Sequence, residues 1–230
     1  MKQKKPVLYT ELAYVLGMLL LALGTALMEL ADFGMSMVVA PAYLLHLKLS
    51  PALPFFSFGM AEYLLQGVLL LLLILLMRRV RLYYFFSFVT AVLYGLTLDA
   101  CIALCSGLPG GGFALRAVYY VLGMVVCSMG VALFLMTYIA PEVYELLVKE
   151  LSAKWRMDVG RVKTGYDCTS CLVSVIMSFM FFGFGHFEGV KAGTILCALV
   201  NGTMISAIAG AITARFEMKD ALPLRRFFER

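Results

Sequence analysis

The chain has 230 residues, 63% of them hydrophobic and only 14% charged, with a mean hydropathy of +0.93 and a net charge of +5. An ordinary soluble domain runs near half apolar and a quarter charged, so these figures exclude one and leave a polytopic helical membrane protein. They also exclude a self-sufficient nucleotide-driven pump, because there is no G-x-x-x-x-G-K-[ST] loop and no room for the domain such a loop needs. No enzyme activity, cofactor, resident metal or nucleic-acid partner is expected.

A bilayer core of roughly 30 Å needs about 20 helical residues, and six apolar runs meet that length, over 11–31, 56–77, 86–105, 117–138, 167–184 and 193–213. The first follows a basic leader, Lys2, Lys4 and Lys5, but its apolar stretch is too long for a signal-peptide core, so it reads as a retained span. An amphipathic stretch at 36–48 follows, containing Ala40-Pro41. Arg78, Arg79 and Arg81 mark the turn between the second and third runs, and Gly110, Gly111 and Gly112 form a hairpin before the fourth. A second amphipathic stretch, 139–156, contains Ala140-Pro141 and leads into a basic connection. Proline suits a helix start, where its missing N–H is not needed. His186 and Glu188 fall in a short loop and read as solvated residues.

Lys and Arg are retained on the cytoplasmic side of a membrane protein. Of the 19 basic residues, all but Lys48, Arg116 and Lys191 lie before the first run, after the second, in the connection after the fourth, or after the sixth. Both termini are therefore expected to be cytoplasmic, in the inner membrane of a bacterium, with an even number of spans.

The chain also repeats itself. Gly17, Gly24, Ala26 and Leu27 recur 106 residues later as Gly123, Gly130, Ala132 and Leu133, and Gly59 recurs as Gly165. Ala91 and Gly95 recur 107 residues later as Ala198 and Gly202. Small residues let helix backbones approach where lipid supplies no hydrophobic drive. Residues 1–107 and 108–230 thus read as two three-helix repeats of one membrane domain, each with a short amphipathic or re-entrant helix. An odd number of spans per repeat makes the second inverted, an architecture characteristic of secondary transporters.

The G-x6-G-x-A-L opening at Gly17 to Leu27, its echo at Gly123 to Leu133, and the Gly193, Thr194, Ala198, Gly202 pattern resemble the YczE/YyaS/YitT group of bacterial integral membrane proteins. Gly34 to Val38 stands where members often carry a Ser-Pro-Trp-Asp type turn, which marks a divergent branch. The resemblance implies a bacterial inner-membrane protein concerned with transport and names no cargo.

Ionisable groups at membrane depth are costly and are read as functional by default. Glu29, Glu62, Asp99 and Asp167 qualify, and Glu62 with Asp99 is expected to share a water-accessible cavity between the halves. Gln66, Thr97 and Asn201 could orient a ligand, and Tyr43, Tyr63 and Tyr94 could wall a pocket. Substrate binding is therefore expected at Glu62, Asp99, Gln66, Asn201, Asp167 and Tyr94. Cys168 and Cys171 form a C-x-x-C, and Cys101 with Cys105 shares a helical face, but both pairs read as small apolar fillers of membrane helices.

The expected function is transport of a small molecule, cationic or proton-coupled, at a site between the inverted halves. The expected partners are the lipid bilayer and that small molecule or ion, with a second copy or an ATPase module open. The alternatives are a substrate-capture subunit of an energy-coupling-factor-type importer, a membrane scaffold, or a thiol oxidoreductase using Cys168 and Cys171.

Overall fold

The computed structural model describes residues 5–157, 159–183, 190–223 and 225. Among them are eight helices: α1 (Thr10–Ala31), α2 (Ala40–Leu49), α3 (Phe58–Met77), α4 (Leu82–Cys105), α5 (Phe113–Phe134), α6 (Val143–Trp155), α7 (Val159–Phe182) and α8 (Ala192–Arg215). Six are long and apolar enough to cross a membrane: α1, α3, α4, α5, α8, and α7 over Arg161–Phe182. The protein is an all-helical membrane domain, apart from two three-residue strands near the chain ends. Lys2, Lys4, His186, Glu188, Arg226 and Arg230 lie outside the described residues.

Three boundaries differ from the hydropathy reading. Helix α5 ends at Phe134 rather than 138, because the chain folds into turns that bond Met136 N–H to Leu133 O and Thr137 N–H to Phe134 O, ahead of Pro141. Helix α4 begins at Leu82, so the aromatic run Tyr83 to Phe86 is helical. Helix α7 begins before Arg161 and Lys163, whose charges do not prevent a first turn that buries Val162. The short helices α2 and α6 match the two amphipathic stretches.

Ion pairs gather at the two ends of the bundle. At one end β1 (Val7–Tyr9) pairs in parallel with β2 (Glu217–Lys219), which brings both chain ends to the same side. There Glu11 accepts hydrogen bonds from the Ala221 and Leu222 amides at 3.0 and 2.9 Å and from Tyr138 at 2.7 Å. The α3–α4 turn joins this end through Arg81, 3.3 Å from Glu150, and Lys154 donates to Leu76 O at 2.6 Å. At the other end α1 closes on Asp32 in the left-handed conformation. The Asp32 carboxylate takes an ion pair from Arg116 at 2.9 Å and another from Lys191. Exposed pairs of this kind contribute at most about 1 kcal/mol each, so they register the ends and do not hold the bundle together.

The bundle is held by the crossing of α1 and α5. A Cβ placed on Gly24 would stand 2.5 Å from the Cys127 nitrogen and 2.7 Å from Gly123 O. One on Gly130 would stand 2.5 Å from the Leu21 nitrogen and 2.7 Å from Gly17 O. Gly17 therefore meets Gly130 and Gly24 meets Gly123, and the two helices run antiparallel with their backbones in contact. Around this crossing the core buries Ala22, Ala26, Met28, Tyr94, Leu98, Tyr120 and Met124. In lipid such contacts supply the drive for association through close packing.

Gly24→Ala sets a methyl against backbone atoms that have no rotamer to change. The overpacking cost of about 1–3 kcal/mol outweighs the gain in helix propensity of about 1 kcal/mol. Gly202, with open space around its Cα, is the control, and Gly202→Ala should stay within about 0.5 kcal/mol of wild type. Denaturant unfolding in detergent micelles measures both; an unaffected Gly24→Ala would remove the crossing from its central role.

Candidate functional site

The site is built around the start of α6. Residues 135–142 are irregular backbone whose last three, Ala140 to Glu142, are buried in the bundle, and backbone at that depth must find partners within the protein. Two hydroxyls of α4 provide them, Thr90 donating to Ala140 O at 2.9 Å and Ser87 donating to Pro141 O. From α3, Gln66 Oε1 accepts the first α6 amide, Val143 N–H, at 3.0 Å, and its Nε2 donates to Glu142 Oε2 at 3.0 Å. One turn earlier on α3, Glu62 Oε2 accepts the Tyr144 hydroxyl at 2.6 Å. The stretch before α2 is tied in a related way, with Ser170 of α7 donating to Met37 O at 2.7 Å.

These bonds bury two acids beside each other. Glu62 is 0% exposed and Glu142 4% exposed. Each has one oxygen, Oε1, with no hydrogen-bond donor among the described residues, and neither forms an ion pair there. Burial first, and then the charges of Glu145 and Glu62, hold the Glu142 carboxyl well above the usual carboxylate range. Burial likewise raises Glu145, against the opposing pull of Lys163.

Beside this wall lies a cavity of about 510 Å³ between α5, α6, α7 and α8, lined in part by Pro141, Glu145, Lys163, Asp167, Asn201 and Gly202. Pro141 and Glu145 flank Glu142 in sequence, so one stretch of backbone forms the cavity wall and carries the buried acid. Asp167 is 3.8 Å from Lys163, and Asn201 Oδ1 accepts the Ser128 hydroxyl at 2.7 Å. The cavity lies toward the basic end, with Lys149 at its rim. Nothing stands within 4 Å of a Cβ built on Gly165 of α7 or Gly202 of α8. By contrast, a Cβ on Gly59 of α3 would run into the Gly95 carbonyl of α4. The α3–α4 pair is closed where the α7–α8 pair is open.

Residues 8–210 match the model of DUF6198, a family of unknown function. The chain belongs to this family. No curated protein and no solved structure matches it.

The expected site residues fall in different places. Asp167 and Asn201 line the cavity, while Glu62 and Gln66 sit behind its wall. Asp99 stands apart, accepting the Gly59 amide at 2.7 Å and the Ser57 hydroxyl, so its bonds are spent on the start of α3. Tyr94 is buried against Thr25, 3.0 Å between oxygens. Tyr43 packs edge-on to Phe58, and Tyr63 lies against Gly95. Thr97 donates to Leu93 O within its own helix, and Glu29 is half-buried in the last turn of α1. All six cysteines are free thiols, and Cys168 is exposed. Glu142, Tyr144, Glu145 and Lys163 were not among the expected residues. For the first three the available signal was Ala140-Pro141, which marks the helix start that Gln66 holds.

Gln66→Leu keeps a similar volume and deletes both bonds to the α6 start. It leaves Glu142 Oε2 and Val143 N–H buried without these partners, at about 1–3 kcal/mol each. The unfolding midpoint should fall well below wild type, with limited proteolysis newly cutting the 135–142 segment. A wild-type midpoint would mean that the segment is held by Ser87 and Thr90 alone.

Proposed function

We propose that the protein is a membrane transporter of a small molecule carrying a cationic group, which it takes up at the cavity between α5, α6, α7 and α8. The observation that carries this reading is the difference between the two glycine pairs, closed at Gly59–Gly95 and open at Gly165 and Gly202, with the cavity in the open gap. The spacing that relates these pairs, and the reciprocal seating of Gly17 on Gly130 and Gly24 on Gly123, support two inverted repeats about the α1–α5 crossing. Inverted repeats exchange conformations, so closing α7 on α8 while α3 parts from α4 would move the cavity from one face to the other. Asp167 supplies the anionic contact: its Oδ1 has no donor at hydrogen-bond distance among the described residues, and its 3.8 Å pair with Lys163 is loose enough for a cargo cation to replace the lysine, while Asn201 orients the cargo. By the positive-inside rule the basic end, with both termini, is cytoplasmic, so the open side faces inward. The same glycine pattern supports distant kinship with the YczE/YyaS/YitT group and a place in the bacterial inner membrane.

The test introduces Ser206→Cys, on the cavity wall, into a protein whose native cysteines are replaced. A membrane-impermeant maleimide should label it in inverted vesicles and not in right-side-out ones. Small amines, amino acids and inorganic cations are then screened by thermal shift, since a ligand of the folded state raises stability by mass action. Ligands found in this way should slow the labelling, and Asp167→Asn should weaken them about tenfold or more, as expected for losing one charged contact. Labelling from the opposite face alone, or no protection by any member of the screen, overturns the reading.

A further inference from the structure

Glu62 and Glu142 are unused by the cargo site as drawn, yet they are the most costly groups in the molecule. A buried carboxylate without a compensating charge neutralises, usually by keeping its proton. Four facts bear on what this pair does. Both side chains are more than nine-tenths buried. Each keeps one oxygen with no donor among the described residues. Their other oxygens are fully accounted for, Glu62 Oε2 by Tyr144 and Glu142 Oε2 by Gln66. Glu145, on α6 between Glu142 and the cavity, gives water in the cavity a carboxylate one helical turn from Glu142.

The groups facing the pair come from the neighbouring elements: Tyr14 of α1, Tyr94 of α4, Cys127 of α5, Tyr144 and Glu145 of α6, and Tyr166 of α7. Each is acidic or neutral. Lys163 lies 3.8 Å from Asp167 and pulls on Glu145, and neither Glu62 nor Glu142 has an ion pair among the described residues. The only ligand that such a pocket of two carboxyls and a tyrosine hydroxyl can take without a basic partner is positive, and the pair is too enclosed for an organic cation. Among the described residues no group of three or more His, Cys, Asp or Glu side chains is arranged to hold a metal ion.

We propose that Glu62 and Glu142 form a proton-binding pair, separate from the cargo cavity, through which movement of the cavity wall is coupled to the proton gradient. This inference rests on the transporter reading above. Binding forms one O–H bond on a carboxylate oxygen and cancels one negative charge; a hydronium in the cavity is the donor, Glu145 is the relay, and nothing is oxidised or reduced. Release leaves two like charges side by side between α3 and the start of α6. The available relief is separation of α6 from α3. Because Pro141 and Glu145 line the cavity on either side of Glu142, that separation moves the cavity wall. The raised carboxyl of Glu142 agrees in sign. An acid whose folded value lies above its unfolded value holds a proton that the unfolded chain has released, so stability falls as pH rises from the unfolded value toward the folded one.

The test needs no known cargo. Infrared difference spectra of the full chain in lipid nanodiscs are recorded from about pH 5 to about pH 9, a range above ordinary carboxylate values. A protonated-carboxyl stretch should persist at the acid end and be lost toward the alkaline end, and Glu62→Gln or Glu142→Gln should each remove part of it. In parallel, with the native cysteines replaced, the labelling rate of Ser206→Cys, divided by that of a free thiol at the same pH because maleimide reacts with the thiolate, should change with pH and lose that dependence in both Gln variants. Should either variant fail to fold, Tyr144→Phe, which keeps the ring and removes the hydroxyl bonded to Glu62 Oε2, should shift the titration of the band, and an unshifted band would overturn the pair. A spectrum without a titrating carboxyl band overturns the pair and leaves the cavity reading standing. A band that responds to sodium at fixed pH and not to pH overturns it in favour of a sodium site. A titrating band with a pH-independent labelling ratio overturns the coupling. Labelling of Ser206→Cys from the wrong face instead refutes the transporter reading on which the proposal rests.

Discussion

Everything else in this molecule is arranged around one contact, the backbone of α1 lying on the backbone of α5. Within a bilayer there is no hydrophobic gain from pressing two apolar helices together, so association depends on how closely they pack. Gly17, Gly24, Gly123 and Gly130 set that distance, because at Gly24 and Gly130 a methyl would fall 2.5 Å from a main-chain nitrogen. The crossing orders the molecule in two directions. It places Asp32, Arg116 and Lys191 together at one end and the arginine turn, the α6 terminus and both strands at the other. It also seats α4 against α1 and α8 against α5, with α3 packed on α4 and α7 packed on α2 and α6.

The second constraint is the accounting of polar groups at depth. Irregular backbone inside a membrane protein is tolerated only where side chains or cavity water satisfy it. Thr90, Ser87 and Gln66 satisfy it before α6, and Ser170 does so before α2. Having used Gln66 in this way, the fold sets Glu142 against Gln66 and Tyr144 against Glu62. The acid pair is therefore a consequence of how α6 is seated, and any motion of α6 changes the environment of both acids together. This linkage joins the proposed proton site to the cavity wall without a long pathway.

Much of this was legible in the residues. The glycine repeat picked out the residues that meet at the α1–α5 crossing, apolar length located six spans within a few residues, and the distribution of Lys and Arg set the two chain ends on one side, as the β1–β2 pairing does. Glu62 and Gln66 stood out as polar groups in an otherwise aliphatic helix. Other features were hidden for physical reasons. The apolar residues 135–138 extend the hydropathy of α5 although the chain has already turned, since hydropathy reports burial and not conformation. Glu142 and Glu145 lie in a segment with Lys149, Glu150 and Lys154, whose composition is that of an interfacial helix; only the seating of its first turn against α3 buries them. Asp99 shows the reverse. Depth marked it as functional, whereas its bonds to Gly59 and Ser57 hold the start of α3.

The central claim is that the two outer pairs exchange states, one closing as the other opens. It is tested most directly by spin-label distances in nanodiscs, with one pair at the exposed Leu172 and Leu199 of α7 and α8 and another at the exposed Leu64 and Leu96 of α3 and α4. The account predicts two populations for each pair, with the short-distance fraction of one rising as that of the other falls across the pH titration. A single unchanging distance in both pairs, or fractions that rise and fall together, would contradict it.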